Sequence, residues 1–260
     1  MKRCLVLGVW CVVSGCAGYV SPPGAVSPDR PGFTDTPPVM PASAFQLEAG
    51  YTNDRTDAGT YATIGEILLR IGVGARSEVR LFGNSYAIRS SPGGPSTSGR
   101  EDSKLGFKTN LRTKPDSVHS LLPNVAFLAA TTVPTGTDGF GNQRSQPEAK
   151  LAVNWTTASP FSLYSNLGVG SIYTETGRAG RMWLSTAAWW SVNPKVSVFA
   201  EGMAMGRLSG SGSGTAGNWI DGGVTYLIND RFQLDARAGH GLGSETSSEK
   251  FFGVGLARRW

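Results

Sequence analysis

The 260-residue chain is 40% hydrophobic and only 17% charged, and it has no uninterrupted apolar window of the roughly 18 residues that a membrane-spanning helix needs, which excludes a helical membrane protein. Its 35 glycines show no collagen-like period, and a glycine- and aromatic-rich composition with modest charge suits sheets better than helix bundles. The formal charge of +5 includes Lys2 and Arg3 and shows no basic run with interleaved aromatics, so nucleic acid is excluded as a partner.

Residues 1–17 read as a secretory signal peptide. Lys2 and Arg3 form a positive start, and Leu5 to Val13 a short apolar stretch interrupted by Gly8. Val13-Ser14-Gly15-Cys16 is also lipobox-like, which makes Cys16 a candidate lipidation site; the alternative is ordinary cleavage nearby, for example after Ala17. Cys4, Cys11 and Cys16 all lie in this leader, so the body carries no disulfide and no cysteine-ligated metal.

Residues 18–43 are rich in Pro, Ser and Gly, and proline lacks the N–H that a strand ladder needs, so this segment is an extended arm. Within it, Asp29, Arg30 and Asp35 are set among Pro28, Pro31 and Pro37. A flexible tail has no need of this order of charge, and the arm is expected to fold back as a partial plug. A disordered periplasmic leader is the other reading.

From residue 44 to 260 the pattern is that of an all-β, antiparallel transmembrane outer-membrane β-barrel of about 12 strands, with a polar interior. The strands are expected at 44–53, 60–73, 78–90, 102–113, 122–134, 147–157, 161–173, 182–192, 196–208, 218–228, 231–243 and 250–260. Phe45, Leu47, Ala49 and Tyr51 share one face and Gln46, Glu48, Gly50 and Thr52 the other. Tyr61, Thr63, Gly65, Ile67, Leu69 and Ile71 are set against Glu66 and Arg70. Leu105, Phe107 and Leu111 oppose Lys104, Lys108, Asn110 and Arg112. Phe232, Leu234, Ala236 and Ala238 oppose Gln233, Asp235 and Arg237. Short turns such as 74–77, 193–195 and 229–230 alternate with longer Gly/Ser/Thr-rich loops such as 91–101, 135–146 and 209–217, which is the polarity of an outer-membrane barrel.

Aromatic side chains cluster at the strand ends. With the N-terminus periplasmic, Phe45, Trp155, Phe161, Trp190, Tyr226, Phe232 and Trp260 fall at one boundary and Tyr51, Tyr61, Tyr173 and Phe252 at the other, as two girdles. A soluble sandwich gives no reason for this. The last segment, with Phe252, Val254, Leu256, Arg258 and Trp260 on one face, looks like the signal by which the barrel assembly machinery receives its substrates.

Several stretches resemble the bacterial outer-membrane transporter family labelled for the meta-pathway of phenol degradation. They are Ser27-Pro28-Asp29-Arg30-Pro31-Gly32-Phe33-Thr34-Asp35, Phe45-Gln46-Leu47-Glu48-Ala49-Gly50-Tyr51, Pro134-Thr135-Gly136, Gln146-Pro147-Glu148-Ala149-Lys150-Leu151, and the tail through Phe232-Gln233-Leu234-Asp235 to Phe251-Phe252-Gly253-Val254-Gly255-Leu256. The resemblance covers most of residues 27–260. It implies a monomeric barrel in the bacterial outer membrane that passes small molecules, hydrophobic or aromatic ones among them.

Nothing in the chain reads as a catalytic site. His119 lies in a polar turn and His240 on the lipid side of its strand, where a hydrolase would need a serine beside it; Leu242 stands two residues on and Ser244 is in a loop. Two distant histidines and no cysteine make no metal cluster, and Ser209 to Gly214 lacks the lysine of a phosphate loop. No cofactor is expected.

The chemistry lies on the polar face. Glu48, Glu66, Glu148, Glu201, Asp221 and Asp235, with Arg70, Arg80, Lys104, Lys108, Lys150 and Arg237, share inward parity. Such charges are costly against lipid and so line a lumen, either as a pore wall or as a packed network of mutual pairs. Phe82, Tyr86, Phe199, Met203 and Met205 are also expected to point inward. The expected function is an outer-membrane channel or transporter for small molecules; the alternative is a structural or surface-interaction barrel with a closed lumen.

Overall fold

The structure is a computed structural model that describes residues 26–113, 122–156, 160–212, 214–243, 246 and 249–260. The leader, Cys16, His119 and Ser244 lie outside the described residues. In chain order the strands are β1 (Phe45–Thr56), β2 (Gly59–Gly72), β3 (Ser77–Phe82), β4 (Tyr86–Ser90), β5 (Thr97–Arg100), β6 (Ser103–Arg112), β7 (Asn124–Val133), β8 (Pro147–Thr156), β9 (Phe161–Thr174), β10 (Gly177–Asn193), β11 (Val196–Ser209), β12 (Gly217–Asn229), β13 (Phe232–Leu242) and β14 (Lys250–Arg259).

All pairings are antiparallel, and β1 pairs with both β2 and β14, so the sheet closes on itself. β3 and β4 are two halves of one stave, and β5 and β6 two halves of the next. The barrel therefore has twelve staves and leaves no open edge in the membrane. The seam is fastened at its periplasmic end, where the Trp260 amide donates to the Phe45 carbonyl over 3.0 Å and the two rings stack at 5.0 Å.

The distribution of side chains is the reverse of a soluble protein's. The largest fully buried side chains include Arg70, Lys108, Gln46, Glu48 and Glu78, while Leu105, Leu167, Val169, Leu184 and Val254 are 47–51% exposed on the outer face. Period-two alternation puts one set toward lipid and the other toward the lumen. The apolar face ends in rings, with Phe161 stacked on Trp190 at the periplasmic boundary and Tyr51 against Phe252 near the other.

Three sequence expectations need correcting. The segment 78–90 is not one continuous strand: it breaks at Gly83-Asn84-Ser85, and Tyr86, expected inward, lies on the outer face at 45% exposure while Ala87 is buried. In β2, Glu66 (φ 36°) and Ile67 form a bulge opposite Ala49 of β1, next to Gly65 (φ 104°), where the register shifts between Glu48 and Gly50. An inserted residue flips the faces beyond it, so Thr63 is buried inside and Ile64 outside, and Tyr61 faces the mouth, where its hydroxyl donates to Glu101 over 2.7 Å. Finally, β1–β2 and β9–β10 continue to tight turns at 57–58 and 175–176, because the polar residues there still alternate and pair (Thr56↔Gly59, Thr174↔Gly177).

Candidate functional site: the occupied lumen

Both feet of the arm are at the periplasmic mouth. The Val26 amide donates to Asp230 O in the β12–β13 turn over 2.7 Å, and at the other foot Ser43 N donates to Gly72 O over 3.2 Å. Between them the chain crosses the lumen. Asp29, Thr34, Asp35, Pro37 and Met40 are buried against inward side chains from most of the staves.

The strongest contacts gather on one wall. The Asp29 carboxylate meets three cations: Lys108 Nζ at 2.8 and 3.1 Å, Arg70 at 3.5 Å, and the Arg80 guanidinium in direct contact. Burial by itself would raise the Asp29 carboxyl, yet Arg70, Lys108 and Arg80 hold it well below the usual carboxylate range. The Asp29 and Arg30 amides both donate to Glu48, at 3.1 and 3.2 Å. Arg70 clasps Glu78 with two bonds of 2.8 and 2.9 Å and donates to Ser27 O and Pro38 O on the arm. Asp35 lies between Arg80, at 3.2 Å, and Lys150. Four wall cations thus face the wall carboxylates Glu48 and Glu78 and the arm carboxylates Asp29 and Asp35, so each buried charge has a counter-charge.

Across the lumen the contacts change character. Arg30 donates to Glu66 over 2.6 Å and lies 3.6 Å from Asp235; it fits because Gly50 and Gly255 lie beneath it, where any Cβ would overlap its guanidinium. The Phe33 amide donates to Glu201 over 2.6 Å, and Thr34 touches the same carboxylate. Asn166 takes the Asp35 amide at 2.8 Å and returns a bond to its carbonyl at 2.9 Å. Phe33 packs edge-on to Phe251, and Arg237, 3.7 Å from Asp221, covers both rings at about 5 Å.

Nearer the extracellular mouth, Lys104 reaches Glu148 at 3.1 Å. Apart from Glu78, the charged wall residues in these contacts are among those that parity selected; Arg112, past the register shift at Asn110 in β6, makes none of them. Glu78, Asn166 and Ser185 were not selected. Glu78, second in β3, shares the parity of Arg80, a signal present in the sequence; Asn166 and Ser185 carry no charge to mark them.

The wall of β9–β12 presents rings and thioethers instead. From the outer side downward its cross-strand neighbours are Trp183 with Met205, then Met203 with Trp219, then Glu201 with Asp221, then Trp189 with Phe199. Trp189 and Phe199 stack at 4.7 Å, with Tyr164 edge-on to Trp189. Trp183 lies flat on Gly168, where a Cβ would occupy the place of its ring. Phe199, Met203 and Met205 are the inward apolar residues expected from parity; the tryptophans were not singled out.

A sequence profile described as "Putative MetA-pathway of phenol degradation" matches residues 28–260. The chain belongs to this family. The phenol-degradation family profile spans both the arm from Pro28 and the whole barrel. Among solved structures, the COG4313 outer membrane channel from Pseudomonas putida F1 superposes with a TM-score of 0.70 at 15% identity, over 89% of this chain and 99% of that one. The NanC porin superposes at 0.56 with 6% identity, over 82% and 98%. The KdgM porin superposes at 0.52 with 8% identity, over 81% and 98%. At such identities the likeness is one of fold, that of a bacterial outer-membrane barrel. No curated protein matches the chain.

Proposed function

We propose that this member of the phenol-degradation family is an outer-membrane channel for small hydrophobic and aromatic molecules, and that its arm is the gate. The observation that carries the reading is the column of Trp183, Met205, Met203 and Trp219 above, and Trp189, Phe199 and Tyr164 below, on one lumen wall. Polarisable rings and thioethers that lie along a wall give an apolar solute successive places to rest. The column is interrupted at the level of Glu201, where Phe33 and Thr34 of the arm are bound. Withdrawal of the arm would join its two halves.

The test is to delete residues 27–37, keep the leader, and compare single-channel conductance with the parent. Larger or more frequent openings are expected in the deletion. Equal conductance from two well-folded barrels removes the gating role. The charge-compensated belt across the lumen favours a second reading, a closed structural or surface-interaction barrel, and silence from both proteins would select it.

Export and assembly complete the proposal. Residues 1–17 direct secretion, and the strand ending at Trp260 is the segment offered to the assembly machinery. Mass spectrometry of the mature N-terminus distinguishes an acylated Cys16 from cleavage at Gly18 or later.

A further inference from the structure

Around Asp29 and Asp35 the lumen wall is short of negative charge without its arm, although Glu66, Glu148, Glu201, Asp221 and Asp235 supply carboxylates elsewhere on it. Arg70, Arg80, Lys108 and Lys150 face Glu48 and Glu78 from the wall itself, and the remaining counter-charges, Asp29 and Asp35, come from the arm. A cluster that leaves two buried cations without a contacting carboxylate is suited to receive anions. Asp35 marks where one of them goes: its carboxylate lies between Arg80 and Lys150, at the end of a peptide held from behind by Asn166.

Beside that carboxylate is a cavity of about 110 Å³, lined on the lumen side by Asp35, Arg80, Phe82, Lys104, Leu128, Glu148 and Lys150. Its polar side carries three cations and, besides Asp35, the Glu148 carboxylate, which is already paired with Lys104 at 3.1 Å; its other side is Phe82 with Leu128. Arg80 and Lys104 both stand over the Phe82 ring, at 5.4 and 5.5 Å. An apolar cavity of roughly 150 Å³ holds a benzene ring, so this space, enlarged by the volume of the Asp35 side chain, accommodates one six-membered ring. The planar fork of Arg80 suits a carboxylate, which it can grip with two parallel bonds.

We propose that the corner formed by Arg80, Lys104, Lys150 and Phe82 is a binding site for small aromatic carboxylates, and that Asp35 occupies it as a tethered stand-in for the solute. The solute's carboxylate takes the place of the Asp35 carboxylate, and its ring fills the cavity against Phe82 and Leu128. Binding of the solute and undocking of Asp35 are then one event, because solute and Asp35 cannot both be paired with Arg80 and Lys150. This names the solute class of the channel and rests on that reading of the lumen.

A tethered competitor acts at millimolar effective concentration, so it must weaken binding in the intact protein. The experiment is calorimetric titration of the detergent-solubilised full chain with benzoate, with benzyl alcohol as the uncharged counterpart and acetate as the ringless one. The parent is compared with Asp35→Asn, which keeps the arm, and with the deletion of residues 27–37. Benzoate is expected to bind Asp35→Asn at least about tenfold more tightly than the parent, since the stand-in charge is gone. Benzyl alcohol and acetate should each bind at least tenfold more weakly than benzoate, and Lys150→Gln in the Asp35→Asn background should lose the gain. Equal benzoate affinity in parent and Asp35→Asn, or no preference for benzoate over benzyl alcohol, overturns the proposal. Conductance separates this from the gate. A deletion that conducts more but binds no benzoate keeps the channel and rejects the site. One that binds benzoate more tightly at unchanged conductance keeps the site and rejects the gate.

Discussion

On the wall formed by β1, β2, β3, β6 and β8 the lumen-facing side chains are ionised and reach toward the arm, whereas on β9–β12 they are largely rings and thioethers that lie against the sheet. The two walls are built by the same period-two alternation, yet they solve different problems. The charged wall holds a segment of chain in one place, because paired buried charges tolerate little displacement. The rings of the aromatic wall hold nothing tightly, and the arm is fastened there through Glu201 and Asn166 between them: stacked rings contribute by area and give way to another apolar surface at small cost. A lumen that had only the first wall would be a plugged barrel, and one that had only the second would hold the arm by a few hydrogen bonds and no ion pair.

The sharpest way to break this contrast is at Arg70, which pairs with Glu48, Glu78 and Asp29 at once. Arg70→Met should cost about 3–5 kcal/mol, since it strands buried carboxylates without a counter-charge. The urea midpoint of unfolding in detergent should fall accordingly; an unchanged midpoint would mean that the belt is solvated and contributes nothing. Asp29→Asn should act on the arm and spare the barrel. It weakens bonds to Lys108 and Arg80, a loss of about 3 kcal/mol in docking. Hydrogen exchange at residues 27–37 should accelerate while the strands keep their protection.

Trp183→Ala, on the opposite wall, should change stability by about 1 kcal/mol or less, because the ring already faces the lumen, and yet slow entry of an apolar solute into proteoliposomes. Similar losses of stability from Arg70→Met and Trp183→Ala would erase the distinction between the walls. The smallest effect is that of mild acid. Asp29 has its carboxyl held down, so its contribution is fully present above the unfolded value near ~4 and is lost only as pH falls through the lower folded value. On this account exchange protection of the arm should be the same at pH 7 and pH 5, and a loss between them would show that another group controls docking.

The sequence made the lumen charges legible because parity places a charged residue unambiguously: against lipid it is prohibitive, so Glu48, Lys108 or Asp235 can point only one way. The same logic failed where parity itself changes. The bulge at Glu66 and Ile67 inserts a residue without any local sign, so Thr63 and Tyr61 were assigned to the wrong face. The break after Phe82 did have a sign, the turn-forming run Gly83-Asn84-Ser85, which outweighs the apolar residues on either side. The arm's charges could be seen to need partners, but which ones was illegible. Asp29 finds Lys108 from 79 residues away, and such pairings follow from closure of the barrel and from no local pattern.

The arm enters and leaves by the same mouth, with Val26 at the β12–β13 turn and Ser43 at the end of β2. Between Val26 and Ser43 it is a loop dipped into the barrel. No knot has to be tied or untied as it comes and goes, and neither end of the chain has to be free. A tether on the N-terminal side, whether a lipid at Cys16 or a bound periplasmic protein, would leave the loop able to lift out and fall back. Traction applied there would draw it toward the periplasm, the side from which it came.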